Sequence, residues 1–582
     1  MIYLLLYLVS GFFSLALQVI WQRQLCIITG GTMISIAAII SIWMVGLAIG
    51  SFAGGKIVRT VRNPGALFCW TQIITGLYVL VSPLLFHVVN LLDGKIFLLQ
   101  QSSEALSIAL RAMLLLSVLV VPISLIGAGF PMLSSLLGKR HISSLYYLNA
   151  LGSVVGAFLV SFFFLEKVGV RGSVMLLSCG LIIVNASALL LTKKSARTGP
   201  PDRPESLTEK DLFGKNPPST ASKNFLVIML PVLFFLSGFT SLSYEFLYNR
   251  IILFIFKESS YYSFAIILVL FIAGITAGSF LYNTIKGKIV SLSSRLFWFA
   301  LLECLIGFWH VFLPRLSVLI YTSKLVINPN SLTAHYFLGT VLYRTSVAAL
   351  LMVPPIIAFG FLYPLVIEAY VALKNKNTSE AVGYISFLNC AGSAIGPLVT
   401  VFILIAVFQV GGTLRIISLL NILIALSTAL FAISRKEFSY SRTKSVLYVF
   451  LPATILLISF YTPNSFELFQ FLARQVESTQ LLYYKENAAS TITVTKDAAG
   501  VRMLSINCIP EVPTDYNALR TFRLLAYLPF MTKENARSVL TIAFGGGITF
   551  GSACQVKGLR EIKCSEICRD VLDAAGYFEY FN

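Results

Sequence analysis

Thirteen stretches of about 20 mostly apolar residues, each long enough to cross a bilayer as a helix, take up most of this sequence. They lie near 1–22, 32–54, 67–92, 108–136, 145–165, 173–192, 225–250, 260–284, 296–318, 342–372, 382–408, 412–434 and 446–461. With 57% apolar residues, 12% charged residues and a mean hydropathy of +0.83, the chain sits far from the roughly 25% charge of soluble proteins. The partner this implies is the lipid bilayer, and the sequence reads as a polytopic inner-membrane protein. The net charge of +19 is not a nucleic-acid signal. Residues 463–582 carry 12 of the 44 Lys and Arg and 12 of the 25 Asp and Glu, so the whole surplus belongs to residues 1–462 and their loops. The first span starts at Met1 without a basic leader and lacks a small-residue cleavage site before "WQRQ". It reads as a retained helix, with a signal anchor as the alternative.

The first twelve spans form two copies of six. "SGFFSLALQVIWQR" (10–23) returns as "SGFTSLSYEFLYNR" (237–250), "GLAIGSF" (46–52) as "GITAGSF" (274–280), and "TGLYVLVSP" (75–83) as "IGFWHVFLP" (306–314). "VPISLIGAGFP" (121–131) matches "PPIIAFGFLYP" (354–364), and "LNALGSVVG" (148–156) matches "LNCAGSAIG" (388–396). Six is even, so both copies face the same way. Between them, residues 193–224 form a polar linker rich in Pro and Ser, with seven Lys and Arg between 193 and 223. That linker and the loops on its side hold 20 of the 32 basic residues in 1–462. By the positive-inside rule this side, and the amino terminus with it, is expected to be cytoplasmic.

Two parallel six-helix repeats (1–192 and 225–434) joined by a basic central linker resemble the major facilitator architecture. One functional reading is accordingly a transporter of that type, for a polyamine or another cation. Ionisable groups at membrane depth are costly and usually face a cavity or the bundle interior. Gln18 and Glu245 are repeat equivalents, as are Gln72 and Glu303, and the second copy has the acid where the first has the amide. One reading makes Glu245 and Glu303 a cation or proton site near the repeat interface, with Asn249, Arg250 and His310 close by in sequence. The other makes them interhelical hydrogen bonds that fix helix order. Asn149 and Asn389, each followed by small residues, read as markers of close helix packing.

Residues 435–462 hold a basic loop and the thirteenth span, which follows the basic segment and precedes "TPNSFELFQ". One more crossing places 463–582 outside the cytoplasm; a re-entrant segment is the alternative. The tail reads as α/β. "ASTITVTKDAAGVRMLSINC" (489–508) suggests a β-hairpin around "DAAG", and "TDYNALRTFRLLAYLPF" (514–530) a helix capped by Thr514 or Asp515. "SVLTIAFGGG" reads as a buried parallel strand entering a glycine turn, and Glu566 closes a second strand about twenty residues on. No C-x-x-C pair supports a metal site. Cys508, Cys554, Cys564 and Cys568 could form two disulfides in an exported tail.

On "SGFTSLSYEFLYNR", "YYKENAASTITVTKDAAGVRMLSIN", "DYNALRTFRLLAYLP", "VLTIAFGGGITFGSA" and "CSEI", the chain resembles the membrane-fused spermidine synthase-like family, related to polyamine aminopropyltransferases. The resemblance implies an incomplete methyltransferase-like Rossmann domain at 463–582 and decarboxylated S-adenosylmethionine as cofactor. By it, Gly545, Gly546 and Gly547 would contact the nucleoside–amino acid moiety and Glu566 the ribose. Departures accompany it. Ile548 stands where soluble members carry an aspartate, Thr521, Phe522 and Arg523 where they carry a Tyr-His/Gln-Glu run, and Tyr527 where they carry a histidine. The family's general-base motif falls beyond Asn582, so no residue is assigned as catalytic. The expected function is a scaffold-like tail, or one completed by a second polypeptide; a cation transporter and an active aminopropyltransferase are the alternatives.

Overall fold

The computed structural model describes residues 2–30, 33–99, 104–195, 219–256, 261–322, 336–374, 378–434, 442–461, 469–472, 479–488, 490–533 and 535–582. Most of the polar linker, the basic 435–441 segment and 462–468 lie outside these. The first copy comprises α1 (Ile2–Thr29), α2 (Met33–Ile57), α3 (Pro64–Leu99), α4 (Glu104–Gly127), α5 (Gly129–Leu137), α6 (Ile142–Leu159) and α7 (Gly169–Ser195). The second comprises α8 (Thr220–Phe256), α9 (Tyr261–Ile285), α10 (Leu292–Thr322), α11 (Tyr336–Lys374), α12 (Thr378–Val399) and α13 (Ile405–Ser434). α14 (Arg442–Tyr461) follows.

Eleven continuous helical stretches among the described residues are long and apolar enough to cross a membrane. The last of them, Thr378–Ser434, is 57 residues long and breaks at Gln409, where φ is 57° and ψ −179°. It therefore makes two passes, which brings the stretches into line with the twelve spans of the duplicated part. α14 contains only a shorter apolar run, Phe450–Ser459.

The duplication holds in atomic detail. α1 packs on α6 and α8 on α12, α2 on α4 and α9 on α11, α3 on α7 and α10 on α13. Asn149 Nδ2 donates to the Tyr7 carbonyl and Ser153 Oγ to that of Gly11; Asn389 and Ser393 donate to their equivalents, Phe234 and Gly238. A Cβ on Gly152 would collide with the Leu8 carbonyl oxygen, and one on Gly392 with that of Phe235. The asparagine motifs thus mark close packing, as their small neighbours suggested. Helices this close use small residues because lipid supplies no hydrophobic drive toward association. Tyr78 donates to the Val118 carbonyl and Trp309 to its equivalent, Leu351. Even the irregularities repeat: a wider π-turn occupies Val160–Phe164 and again Thr400–Leu404.

The copies meet along α2–α12 and α6–α9. On the linker face this seam is tied by Arg59 to Glu380 at 3.0 Å. Lys286 Nζ donates to Ser143 Oγ at 2.7 Å, and Tyr146 and Tyr363 stack at 4.1 Å between centroids.

The tail begins with an antiparallel sheet in the order β1 (Gln480–Glu486), β2 (Thr491–Lys496), β3 (Arg502–Ile506), β4 (Ile509–Pro513). The expected hairpin is β2–β3, paired from Lys496↔Arg502 to Ile492↔Ile506; β1 and β4 extend it on either side. α15 (Tyr516–Thr532) is capped by Asp515, whose side chain accepts from the Asn517 and Ala518 amides. A separate parallel pair, β5 (Ser538–Ile542) and β6 (Glu561–Ser565), flanks the seven-residue α16 (Ile548–Cys554), and α17 (Arg569–Asp573) follows. β5 is parallel as expected but not buried: Leu540 is 58% and Ile542 79% exposed. Alternating apolar residues alone cannot bury a strand that has one neighbour. A two-stranded parallel pair is all that the described residues contain of a Rossmann sheet. No disulfide occurs among the described residues, so the two that Cys508, Cys554, Cys564 and Cys568 could form are not made.

Candidate functional site

The intramembrane polar residues separate into two groups that sequence alone had put together. The first lies inside the second copy, where α8, α10 and α13 meet. Glu303 is 0% exposed, and its Oε2 accepts from Asn421 Nδ2 at 2.6 Å. The same Nδ2 donates to Thr240 Oγ1 at 3.1 Å, while Asn421 Oδ1 accepts from the Tyr244 hydroxyl at 2.9 Å. Tyr244 stacks on His310 at 3.5 Å and 12°. His310 Nδ1 lies 2.7 Å from the Ile306 carbonyl, which can only accept, so that nitrogen carries a proton; Nε2 then accepts from the Tyr248 hydroxyl at 2.8 Å. The chain of contacts runs Glu303, Asn421, Tyr244, His310, Tyr248.

Glu303 Oε1 is buried with no hydrogen-bond partner among the described residues, and no described ion pair involves Glu303 or Glu245. Glu245 is buried on α8, where Asn249 Nδ2 donates to its backbone carbonyl. In the first copy Gln72 accepts from Ser10 Oγ at 3.1 Å and its Nε2 is unpartnered among the described residues, while Gln18 is buried on α1. Asn421, Tyr244 and Tyr248 were missed by sequence reasoning. The legible signal was the replacement of Leu17 and Trp21 by two tyrosines one helical turn apart in the second copy.

The second group departs from expectation. Arg250 does not join the carboxylates; it faces the tail. Its Nη1 donates to Thr491 Oγ1 at 3.2 Å and Asn507 Oδ1 at 3.3 Å, and its Nη2 to the carbonyls of Asn487 at 3.1 Å and Ala488 at 3.0 Å. The side chain is thereby closed off, the residue being 3% exposed. Beside it, Glu486 Oε2 accepts from the Val410 amide of α13 at 2.6 Å, and Tyr484 donates to Glu486 Oε1. Burial pushes the Glu486 carboxyl above its ordinary value, against the opposing pull of Tyr484, the Val410 amide and Arg250. Phe469, Leu472 and Cys508 of the tail join the large apolar core cluster to which both copies contribute.

The tail's glycine turn has Gly545 at φ 57° and Gly547 at φ 83°, which glycine tolerates without strain. The turn packs against the chain itself: Gly545 and Gly546 on Val512, Gly546 also on Phe578, and Gly547 on Phe544 and Asn582. Both oxygens of Glu566 accept backbone amides, from Phe544 at 2.7 Å and from Cys568 at 2.9 Å. These residues are brought together, with both Glu566 oxygens taken up by backbone amides of the tail itself. No group of three or more His, Cys, Asp or Glu side chains suited to a metal occurs among the described residues.

No family model and no curated protein matches the chain. Among solved structures, a point variant of the E. coli fucose:proton symporter FucP is similar at a TM-score of 0.42 and 14% identity, covering 74% of this chain and 98% of its own. An auto-inhibited peptide transporter of the POT family is similar at 0.40 and 12%, covering 84% and 98%.

Proposed function

We propose that this protein is a major-facilitator-type carrier of a cation or of protons, and that Glu303 is the group that binds the transported or coupling charge. The observation that carries this reading is the Glu303 carboxyl itself: fully buried, one oxygen on Asn421, the other unpartnered among the described residues, with no described ion pair. A carboxylate in low dielectric without a counter-charge is expensive. It is stable there only with a proton or a bound cation, and exchanging one for the other is the elementary step of coupled transport. Asn421 and Tyr244 hold the carboxyl in place, and the Tyr244–His310–Tyr248 arm extends the polar path through otherwise apolar packing. The substrate class that suits an acidic, aromatic-lined site is an organic cation, a polyamine among the candidates.

The tail serves in this reading as a docked accessory domain, held on the face opposite the linker. By the basic loops of the linker face, that face is external. Reconstitution in vesicles with an entrapped pH-sensitive dye tests the proposal. Imposed gradients of candidate cations should drive flux or proton movement in the wild type, and Glu303→Gln should lower it by at least about tenfold. Flux unchanged by Glu303→Gln removes Glu303 from the mechanism.

A further inference from the structure

The tail does more than rest on one copy. Ala488 packs on an apolar cluster built from Ala37 and Ile40 of α2, Leu242 and Phe246 of α8, and Val401 of the turn after α12, with Ile34, Ile36 and Met44 at its margin. α2 belongs to the first copy and the rest of that cluster to the second, so Ala488 is seated on a cluster that both copies build across their seam. This is the face opposite the tied linker face. α8 starts at the linker and carries Arg250 near its far end, and Val410, which meets Glu486, lies near the start of the returning α13.

We propose that the tail is a latch that holds the repeat seam shut on this face, with Arg250 as its fastening. A guanidinium presents a planar fork of directed donors; here four of its hydrogen bonds end on Thr491, Asn507, Asn487 and Ala488, all in the tail. Three of the four acceptors are amide oxygens, so the fork's geometry carries most of the fastening, and the neighbouring Glu486 adds charge attraction. Rocking of one copy against the other would part Leu242 and Phe246 from Ala37 and Ile40 and pull Ala488 off its seat. Seam opening and tail release are therefore one event, and whatever binds the released tail sets the carrier's access on this face. The inference rests on the carrier reading only for what passes through the seam; the latch is tested by accessibility and the carrier by flux, so the two fail separately.

The test uses the full chain in phosphatidylcholine–phosphatidylglycerol nanodiscs and a bulky polyethylene-glycol maleimide. In one series Cys508, buried at the docked interface, is the sole cysteine; in a second, Leu242→Cys is. Both positions should label slowly in the otherwise wild-type chain. Ala488→Arg, which alters no residue of the membrane body, and Arg250→Lys, which keeps the charge but loses the fork, should each speed labelling at both positions by at least about tenfold. Fast labelling of Cys508 with Leu242→Cys still protected would mean that the tail leaves without opening the seam, and would overturn the latch. Slow labelling of Cys508 in both variants would overturn Arg250 and Ala488 as its fastening. If Arg250→Lys fails to fold, Ala488→Arg decides alone.

Discussion

The two six-helix copies share their crossings, their asparagine-to-carbonyl bonds, their glycine contacts and their π-turns, yet differ in what they bury at matching positions. Where the first copy has Leu17, Val79 and Trp21, the second has Tyr244, His310 and Tyr248; where the first has Gln72 bonded to Ser10, the second has Glu303 bonded to Asn421. Leu17, Trp21 and Val79 belong to the first copy's apolar core. The outer ends differ as well: Arg23 is exposed, and its equivalent Arg250 is closed off by the tail. Backbone packing and buried chemistry have thus been set independently. The close glycine contacts fix how the helices cross, and positions one turn further along are left free to carry either core or site.

The largest effects should fall on this difference. Glu303→Gln should lower coupled flux by at least about tenfold, whereas Gln72→Ala, at the matched position, should change it less than about twofold, since only one neutral hydrogen bond is lost there. Flux in reconstituted vesicles decides it. Equal losses from both would mean that the copies share one site and would break the comparison.

The second test concerns what the copies have in common. Gly152→Ala and Gly392→Ala each put a methyl group onto a facing carbonyl oxygen, of Leu8 and Phe235, and overpacking of this kind costs about 1–3 kcal/mol. The two should destabilise the protein alike in mixed-micelle unfolding. A loss confined to one of them would show that the crossings are equivalent in outline only.

How much of this was legible beforehand follows the same division. The duplication could be read because apolar spans and small-residue motifs report on backbone packing directly, and Asn149 and Asn389 announced their role by the glycines after them. The pairing of Glu303 with Asn421 could not be read. Position 421 is one of several polar residues along α13, and only the crossing of α10 with α13 brings it to position 303. Arg250 misled for a related reason: an arginine near a span end looks like part of an intramembrane cluster until a domain more than 200 residues later supplies its acceptors. β5 misled because strand pattern reports which residues could be buried, not whether anything covers them.

The tail's dependence on pH separates the outer ends of the copies. Burial raises the Glu486 carboxyl on docking, so the docked state takes up a proton relative to a free, solvated tail. The resulting stabilisation is complete below the free carboxyl's ordinary value and fades as pH rises through the higher docked value. Each unit between the two is worth about tenfold in the docking equilibrium. Protease resistance of the tail should therefore fall as pH rises above the ordinary carboxylate range, and Glu486→Gln should remove the trend. Resistance that rises over this range would mean that Arg250 and the Val410 amide outweigh burial.

The smallest effect comes from a position where both copies adopt a positive φ with different residues. Gly169, with φ 70°, opens α7, and its equivalent in the second copy is Gln409, with φ 57°. With ψ at −179° the Gln409 backbone is in a positive-φ extended conformation that suits glycine almost alone and costs a residue with a Cβ about 1–3 kcal/mol, and Gln409 adds a buried Oε1 without a hydrogen-bond partner among the described residues. Glycine there removes both costs but gives back about 0.5–1 kcal/mol through the entropy of the unfolded chain. Gln409→Gly should accordingly raise stability by about 0.5–1 kcal/mol in the same unfolding assay, and Gly169→Gln should lower it by a comparable amount. The adjoining Val410 amide is the one Glu486 accepts from, so the strained turn also presents the tail's second attachment. If Gln409→Gly stabilises the membrane body while loosening the tail, the strain serves docking; if it stabilises both, the glutamine is a local cost that the second copy tolerates.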